Sequence, residues 1–298
     1  MRTVFLGTSD FAAAVLRRLA GSDHRPALVV TRPDAPRGRG RRLAAPPVAD
    51  AARELGLDLD QPENVNDDAA RARIDAAEPG AVCVCAFGAL IREPLLSAYP
   101  MLNVHPSLLP RWRGAAPVER AIMAGDAETG VSIMQLVAEL DAGPVALQAT
   151  TPIGPQDTYG TLAPRLEALG SDLLVEAMDR WPVEFAAQDE SVVTYAEKIG
   201  PEDRTLDPSR PAADLERTVR ALHPHIGARL ELPGGEFLRI HEAATAPADI
   251  PAGTLAARDG RLLWGTADGA LELRVVQPPG GKPMDAGAFL RGHDVPAA

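Results

Sequence analysis

The 298 residues are enough for two domains with full hydrophobic cores, and 46% of them are apolar while 24% carry charge. These proportions are typical of a folded globular protein. The formal net charge of −11 argues against a protein that coats nucleic acid nonspecifically, because such binding needs a basic surface. Since no apolar run is long enough to span a bilayer and the first residues lack a signal-peptide core, we expect a cytoplasmic protein.

The first half of the chain alternates short apolar runs with segments of helical periodicity. In chain order, the pattern predicts a strand at 3–7, a helix at 10–20, a strand at 27–31, helices near 48–55 and 68–77, and strands at 81–85 and 102–105. Nearly continuous apolar strands that alternate with helices are typical of a parallel sheet covered on both faces. The fold class is therefore α/β in this half.

The second half changes character. Strands are predicted at 130–135 and 145–150, a long helix at 158–180, a helix at 212–222, and short strands at 228–232, 237–243, 261–265 and 271–277. Several short strands separated by turns indicate a small β-barrel. The polar, proline-containing stretch between the two patterns predicts a linker. We therefore expect a catalytic domain at 1–188, a linker at 189–208 and a C-terminal domain at 209–298.

Both cysteines fall in one predicted buried strand. Cys83 and Cys85 share a strand face, where disulfide geometry is hard to satisfy. The two cysteines form no Cys-x-x-Cys pattern and have no histidine nearby, so we expect neither redox nor metal chemistry from them. We interpret the two thiols as small hydrophobic side chains.

Three polar residues form the strongest candidate for a catalytic site. Asn103 and His105 are two apart at the end of a predicted strand, so their side chains point to the same side. Asp141 lies on a predicted turn, and a carboxylate beside an imidazole orients the ring and favours its charged form. Taken singly, the three fit a core histidine, a capping asparagine and a turn aspartate. As a set they suit transfer of an acyl-type group.

The segment from Arg32 to Arg42 carries a local positive charge in an acidic chain. It contains five arginines and a single acid, Asp34, among prolines and glycines, which predicts a flexible basic loop. Most charge runs are only solvated loops. The glycines and the lone acid favour contact with a polyanion.

Other chemistries have weaker support. Gly7 ends the first strand, where it forms either a tight turn only or also a wall of the site. The later glycines of a dinucleotide-binding motif are missing, so a nicotinamide dehydrogenase is not expected. Ser107 lies in no nucleophile elbow, which disfavours an acyl-enzyme. His223 and His225 have no cysteine or carboxylate arrangement that completes a zinc site, so no metal is expected.

Several of these motifs together resemble one family. The residues at 7–13, 31–34, 38–40, 103–117 and 140–143 resemble those of methionyl-tRNA formyltransferases, and the resemblance continues through 195–199, 281–284 and 289–292. The Asn-x-His pattern with a later Asp is shared with other enzymes that use 10-formyltetrahydrofolate. The Gly38–Gly40 loop and the C-terminal domain are more particular to the tRNA enzymes. Phe87 departs from the family, which often has Tyr there.

The resemblance implies a Rossmann-like formyltransferase domain followed by an OB-like barrel that holds tRNA. It implies transfer of the formyl group of 10-formyltetrahydrofolate to the α-amine of initiator methionyl-tRNA by a monomeric enzyme that needs no metal and no membrane. The implied catalytic residues are Asn103, His105 and Asp141. The implied folate contacts are Ser107, Leu108, Leu109, Pro110, Phe87, Gly88 and Leu90. The implied tRNA and methionyl contacts are Arg37, Arg39, Arg41, Arg42 and Phe11.

Three other functions remain open from the sequence. A folate-dependent formyltransferase for a small amine explains the three polar residues but leaves the basic loop and the C-terminal domain without a role. A formyltetrahydrofolate hydrolase replaces the amine with water. A noncatalytic RNA-binding protein of the same fold does not explain why Asn103, His105 and Asp141 are all present.

Overall fold

The computed structural model describes residues 1–37, 42–232 and 234–295, except for the side chains of Arg37 and Arg42. The strands are β1 (Thr3–Gly7), β2 (Pro26–Val30), β3 (Ala35–Arg37), β4 (Arg42–Ala44), β5 (Leu59–Asp60), β6 (Ala81–Cys85), β7 (Met101–His105), β8 (Arg113–Gly114), β9 (Glu128–Gln135), β10 (Val145–Pro152), β11 (Tyr195–Ala196), β12 (Ala228–Glu231), β13 (Phe237–Ala246), β14 (Leu255–Arg258), β15 (Arg261–Thr266), β16 (Gly269–Gln277) and β17 (Met284–Asp285). The helices are α1 (Asp10–Ala20), α2 (Pro47–Glu54), α3 (Asp68–Ala76), α4 (Leu95–Ala98), α5 (Pro117–Ala124), α6 (Tyr159–Asp179), α7 (Pro201–Arg204), α8 (Ala212–Leu222) and α9 (Ala286–Gly292).

The described residues form two compact units that are not simply consecutive in sequence. The first contains Met1–Gly114, Glu128–Pro152 and Ala163–Tyr195, whereas the second contains Ala115–Ala127, Ile153–Leu162 and the chain from Ala196 onward. The hydrophobic pattern of a sequence does not show that short segments such as Ala115–Ala127 belong to the second unit. The domain boundaries at 188 and 209 stay predictions.

The first unit is built on a seven-stranded sheet in the order β10-β9-β7-β6-β1-β2-β5. The strands from β7 to β5 are parallel to their neighbours, which confirms the α/β prediction of a parallel-rich sheet. Two edge strands depart from it, because β9 runs antiparallel to β7 and β10 runs antiparallel to β9. For β10 the reason is the short connection from β9, since a parallel pair needs a longer crossover.

The centre of this sheet is buried on both faces. Every residue of β1, β6 and β7 is buried. This explains why these strands are continuous apolar runs with no polar alternation. The turn after β1 is tight, because a Cβ on Gly7 would lie 2.8 Å from the Ala12 Cβ. Ser9 then caps α1 by accepting a hydrogen bond from the Ala12 N–H at 3.2 Å.

Burial of the two cysteines predicts that they are chemically inert. Burial raises the pKa of the Cys83 thiol to about 12, and burial followed by the charge of Glu167 raises the pKa of Cys85 as well. Thiolate is the reactive form, so neither residue should react with a disulfide reagent such as DTNB in the native protein at pH 8. We expect both to react after denaturation. Rapid reaction of either thiol in the folded protein would contradict this interpretation.

Three adjacent parallel strands end at the same edge of the sheet. β6 lies between β1 and β7, and the chain continues from their carboxyl ends into residues 8–11, 86–91 and 106–112. Ligands of open α/β sheets bind beyond this edge. The fold therefore gathers segments that are distant in sequence, including Asn103 and His105 at the end of β7.

The second unit contains an antiparallel sheet in the order β12-β13-β16-β15-β14, with β17 paired to β16. This confirms a C-terminal β domain, in which β13 and β16 are longer than predicted, with ten and nine residues. The α8 helix packs its apolar face on the sheet through Leu215, Val219 and Leu222. These residues are spaced i, i+4 and i+7, as one face of a helix requires.

The basic segment is not a loop throughout, which corrects the prediction of a flexible loop. β3 and β4 form an antiparallel hairpin in which Ala35 pairs with Ala44 and Arg37 pairs with Arg42. These short, proline- and arginine-containing strands lack the apolar alternation that signals a strand. Arg39 and Arg41 lie outside the described residues.

Within the described ranges, none of the helices combines the length and apolar character that a bilayer crossing requires.

Candidate active site

His105 is held between two oxygen atoms at the end of β7. Its side chain is 5% exposed, with Nε2 2.9 Å from the Trp112 carbonyl oxygen and Nδ1 3.6 Å from Asp141 Oδ2. A carbonyl oxygen can only accept a hydrogen bond, so Nε2 carries a proton when it contacts Trp112. A second proton on Nδ1 would face the Asp141 carboxylate. At 3.6 Å the Asp141 carboxylate is beyond hydrogen-bond distance of Nδ1 and faces that side of the ring as a charge.

Asp141 lies in the connection between β9 and β10 and is fixed by a backbone contact. Its Oδ2 accepts a hydrogen bond from the Gly114 N–H at 2.8 Å. The residue has φ of +48°, in the left-handed region, which aspartate adopts more readily than most residues other than glycine. The turn presents the carboxylate to His105.

Asn103 supplies an amide without a partner among the described residues. It lies two residues before His105 on β7, so the two side chains share one side of the strand. Asn103 is 8% exposed, and among the described residues its side chain has no hydrogen-bond partner, but its amide is not among the fully buried side-chain groups that lack one. Asn103 is therefore free to donate to a bound carbonyl oxygen.

Residues 112–114 supply two backbone groups to the site that the sequence interpretation missed. The Trp112 carbonyl contacts His105, and the Gly114 N–H contacts Asp141. Trp112 has φ of +63° and Gly114 has φ of +123°. Backbone atoms leave no residue-type signal, although Gly114 is a sign of an unusual local conformation.

A side-chain network behind Asp141 was also missed. Gln188 contacts the Asp141 turn and Arg113, and Arg113 makes two hydrogen bonds with the Glu190 carboxylate at 2.7 and 3.2 Å. The hydrogen bonds that Arg113 donates to Glu190 raise the pKa of Arg113 and lower the pKa of Glu190. A buried arginine in the sequence would have been the signal for this network, but burial cannot be read at a single position.

The loop after β7 is locked by internal hydrogen bonds. Ser107 is fully buried, and its hydroxyl donates to the Arg111 carbonyl at 2.6 Å. The Ser132 hydroxyl donates to the Ser107 carbonyl at 2.6 Å and accepts from the Leu109 N–H at 3.1 Å. The Ser107 hydroxyl is thus already used inside the protein. Leu108 and Pro110 are half-buried and Leu109 is buried, and the folate contacts of this loop stay predictions.

The other predicted folate and methionyl contacts surround the carboxyl ends of β1 and β6. Phe87 is buried, and its carbonyl accepts a hydrogen bond from the Thr8 hydroxyl at 2.7 Å. Gly88 is exposed, and Leu90 is 61% exposed, whereas Phe11 is buried in α1. The roles of these residues stay predictions. So do those of Arg37 and Arg42, whose side chains are not described.

A cavity of about 490 Å³ lies in the second unit, and its lining residues include none of the three candidate catalytic residues. Two arginines that line it are paired with acids of the same unit. Arg217 contacts Asp214, and Arg220 Nε lies 2.6 Å from Glu216 Oε1. Arginines that are already paired with acids do not indicate a ligand.

Among the described residues, no group of histidine, cysteine and acidic side chains is arranged to hold a metal ion.

The chain matches two domain families in succession. Residues 1–178 match the formyl transferase family, and residues 198–294 match the formyl transferase C-terminal domain. A methionyl-tRNA formyltransferase of Methylobacillus flagellatus is 43% identical over 98% of this chain and 97% of its own length. Another protein of that name, from Phenylobacterium zucineum, is 44% identical over 100% and 98% of the two chains.

Solved structures share the fold at low identity. HypX from Aquifex aeolicus, in complex with tetrahydrofolic acid, superposes with a TM-score of 0.66 at 19% identity, and the match covers 100% of this chain. This chain spans about half the length of HypX, 48% in that structure. An N-formyltransferase from Helicobacter canadensis superposes with a TM-score of 0.67 at 14% identity over 91% and 98% of the two chains.

The two domain matches follow the order of the α/β sheet and the antiparallel sheet along the chain. The named relatives are more than 40% identical and extend over both parts. The chain therefore belongs to the methionyl-tRNA formyltransferase family.

Proposed function

We propose that this protein transfers the formyl group of 10-formyltetrahydrofolate to the α-amine of initiator methionyl-tRNA. The observation that carries the proposal is the Asn103 amide, which has no partner among the described residues, on the same strand face as His105 and its Asp141 neighbour. Relatives named for this reaction, similar over nearly the whole chain, support the choice of substrates.

The residues at this site fit a formyl donor. The Asn103 amide lacks a protein acceptor, and a formyl oxygen supplies one. When bound, 10-formyltetrahydrofolate supplies a one-carbon acyl group that an amine can attack. Stabilisation of negative charge on the formyl oxygen is the main task for the protein.

Each of the three side chains has a part in this chemistry. Asn103 donates an N–H to the formyl oxygen while the amine nitrogen bonds to the formyl carbon. His105 contributes positive charge beside that oxygen. Asp141 keeps the ring charged and accepts, directly or through water, the proton that the amine loses. As the bond from the formyl carbon to the folate nitrogen breaks, this proton returns to that nitrogen.

The positions of the His105 ring nitrogens set a condition on its role. Both nitrogens contact protein oxygens, at Trp112 and Asp141. His105 can therefore stabilise the formyl oxygen through its charge without giving up either contact. Direct donation would require it to release the Trp112 carbonyl.

A cluster of arginines in the second unit supports a polyanionic substrate. Arg229 lies directly opposite Arg239 on β12 and β13. Burial lowers the pKa of Arg204, and the charges of Arg229 and Arg239 lower it further. Among the described residues, none of the three is paired with an acid. Like charges in direct opposition cost stability, and tRNA phosphates bound there would relieve that cost.

One assay separates the proposed reaction from its alternatives. The protein is incubated with 10-formyltetrahydrofolate and methionyl-tRNA, a small amine or water alone, and the labelled formyl group is followed. We expect formylmethionyl-tRNA to form much faster than any other product. Faster formylation of a small amine would favour a metabolic formyltransferase, and release of formate without an acceptor would favour a hydrolase.

Arg39 tests the predicted role of the basic segment. Replacing Arg39 with alanine should weaken methionyl-tRNA binding about tenfold and reduce the slope of log affinity against log salt by about 1, because one phosphate contact is lost. Any slow hydrolysis of 10-formyltetrahydrofolate should be unchanged. Arg73→Ala, at an exposed position of α3, removes the same charge and is the control. Equal effects of the two variants on tRNA binding would refute the assignment.

A further inference from the structure

The turn that carries Asp141 is held by a side chain from a distant part of the sequence. Gln188 Nε2 donates to the Asp141 carbonyl oxygen at 2.8 Å and to the Gly143 carbonyl oxygen at 2.7 Å. Both protons of one amide group are therefore used on the two sides of a single bend. This contact fixes the backbone from which the Asp141 carboxylate extends.

Arg113 fixes the orientation of the Gln188 amide. Its Nε donates to Gln188 Oε1 at 3.0 Å, while its terminal nitrogens bind Glu190. A guanidinium can only donate and a carbonyl oxygen can only accept, so a flipped amide would lose all three contacts of Gln188. Arg113 is 2% exposed and cannot easily find other partners. The amide therefore has one favourable orientation.

The Asp141 turn has little freedom to adjust if these contacts are lost. A Cβ on Gly143 would lie 1.8 Å from the Gln135 carbonyl oxygen, which shows how closely the two backbone segments approach. Asp141 itself is in the left-handed region. A turn of this kind persists only where surrounding contacts determine it. Gln188 makes two such contacts.

We propose that Gln188, oriented by Arg113, is a positioning residue that keeps the Asp141 carboxylate facing His105. The inference rests on the proposed function for its activity measurement. Residues 112–114 join the parts, because the Trp112 carbonyl contacts His105, the Gly114 N–H contacts Asp141 and the Arg113 side chain contacts Gln188. Displacement of the Gln188 amide removes both hydrogen bonds to the backbone of the turn and leaves the Gly114 N–H contact with the carboxylate.

Gln188→Glu tests this role with a change of similar size. The new carboxylate still accepts from Arg113 but presents negative charge to the carbonyl oxygens of Asp141 and Gly143. We expect kcat for formyl transfer to fall at least about 100-fold, since a displacement of about 1 Å in a catalytic group has such an effect. KM for both substrates should change by less than about threefold, because the Gln188 amide is fully bonded to Arg113, Asp141 and Gly143.

The state of the His105 ring is a measurement that a merely structural role would not alter. Nitrogen-15 spectra, assigned with His105→Ala, report the surroundings of the two ring nitrogens. In Gln188→Glu the Nδ1 resonance should move, because the Asp141 carboxylate no longer faces that atom. Gln188→Met, with similar volume and neither donor nor charge, provides a second test if the first variant does not fold.

Gln156→Glu is the control for the added charge, because Gln156 is exposed and takes no part in the site. Equal kcat in Gln188→Glu and this control, or an unchanged His105 spectrum in a folded variant of Gln188, would overturn the positioning role. Absence of formyl transfer by the wild-type protein would instead refute the proposed function. The spectra would still test the positioning of Asp141 in that case.

Discussion

Asn103→Ala should lower kcat for formylation of methionyl-tRNA by about 10²- to 10³-fold, the usual effect of removing one donor from an oxyanion site. The structure gives this prediction a second part. Because the Asn103 amide has no protein partner among the described residues, its removal should leave the melting temperature unchanged or slightly higher. Steady-state kinetics and thermal unfolding of the same preparation measure both effects.

A structural role for Asn103 would give the opposite pair of results. The variant would then melt at a lower temperature while the folded fraction kept nearly full activity. Asn103→Asp provides a further comparison, since it keeps the shape of the side chain but replaces the N–H donor with an acceptor. We expect it to be at least as slow as Asn103→Ala, because negative charge would develop beside a carboxylate.

His105→Ala should lower kcat by about 10²- to 10⁴-fold, the range associated with a charged or proton-transferring group at the reaction centre. The protein offers a matched control in a second buried histidine of the same unit. His24 Nε2 lies 2.7 Å from Asp179 Oδ1, and its side chain is also buried. His24→Ala should lower thermal stability but leave kcat within about twofold of wild type, as expected for a contact remote from the reaction.

If His24→Ala and His105→Ala reduced kcat to the same extent below their melting temperatures, the effect would come from the loss of a buried histidine side chain in general. Such a result would remove the reason for assigning chemistry to His105. Rate measurements well below the melting temperature of both variants make the comparison independent of folding.

Much of the first unit follows from the sequence because its strands are buried on both faces. The ranges of β1, α1 and β6 are those predicted, as is that of α8 in the second unit, since continuous apolar runs and a helical period each give a clear signal. The directions of β9 and β10 carried no such signal. A strand reads the same whether its neighbour is parallel or antiparallel, so the mixed edge of the sheet was not predicted.

The site was predictable from the sequence only where the residue type itself indicates the chemistry. Asn103 and His105 lie on one strand, so their shared face follows from the period of a strand. The structure then places Asp141 beside His105, a contact that local spacing cannot establish. Gln188 was missed because it recognises backbone carbonyls at Asp141 and Gly143, and no residue type marks a long-range contact of this kind.

A double-mutant cycle on His105 and Asp141 tests most directly whether the imidazolium and the carboxylate act as one unit in formyl transfer. Asp141→Asn keeps an oxygen that can accept from Gly114 N–H while it removes the charge that faces His105. Groups that act together show strongly non-additive losses. We predict that kcat of the double variant equals that of His105→Ala within about threefold. A double variant slower by the full product of the two single losses would contradict the account.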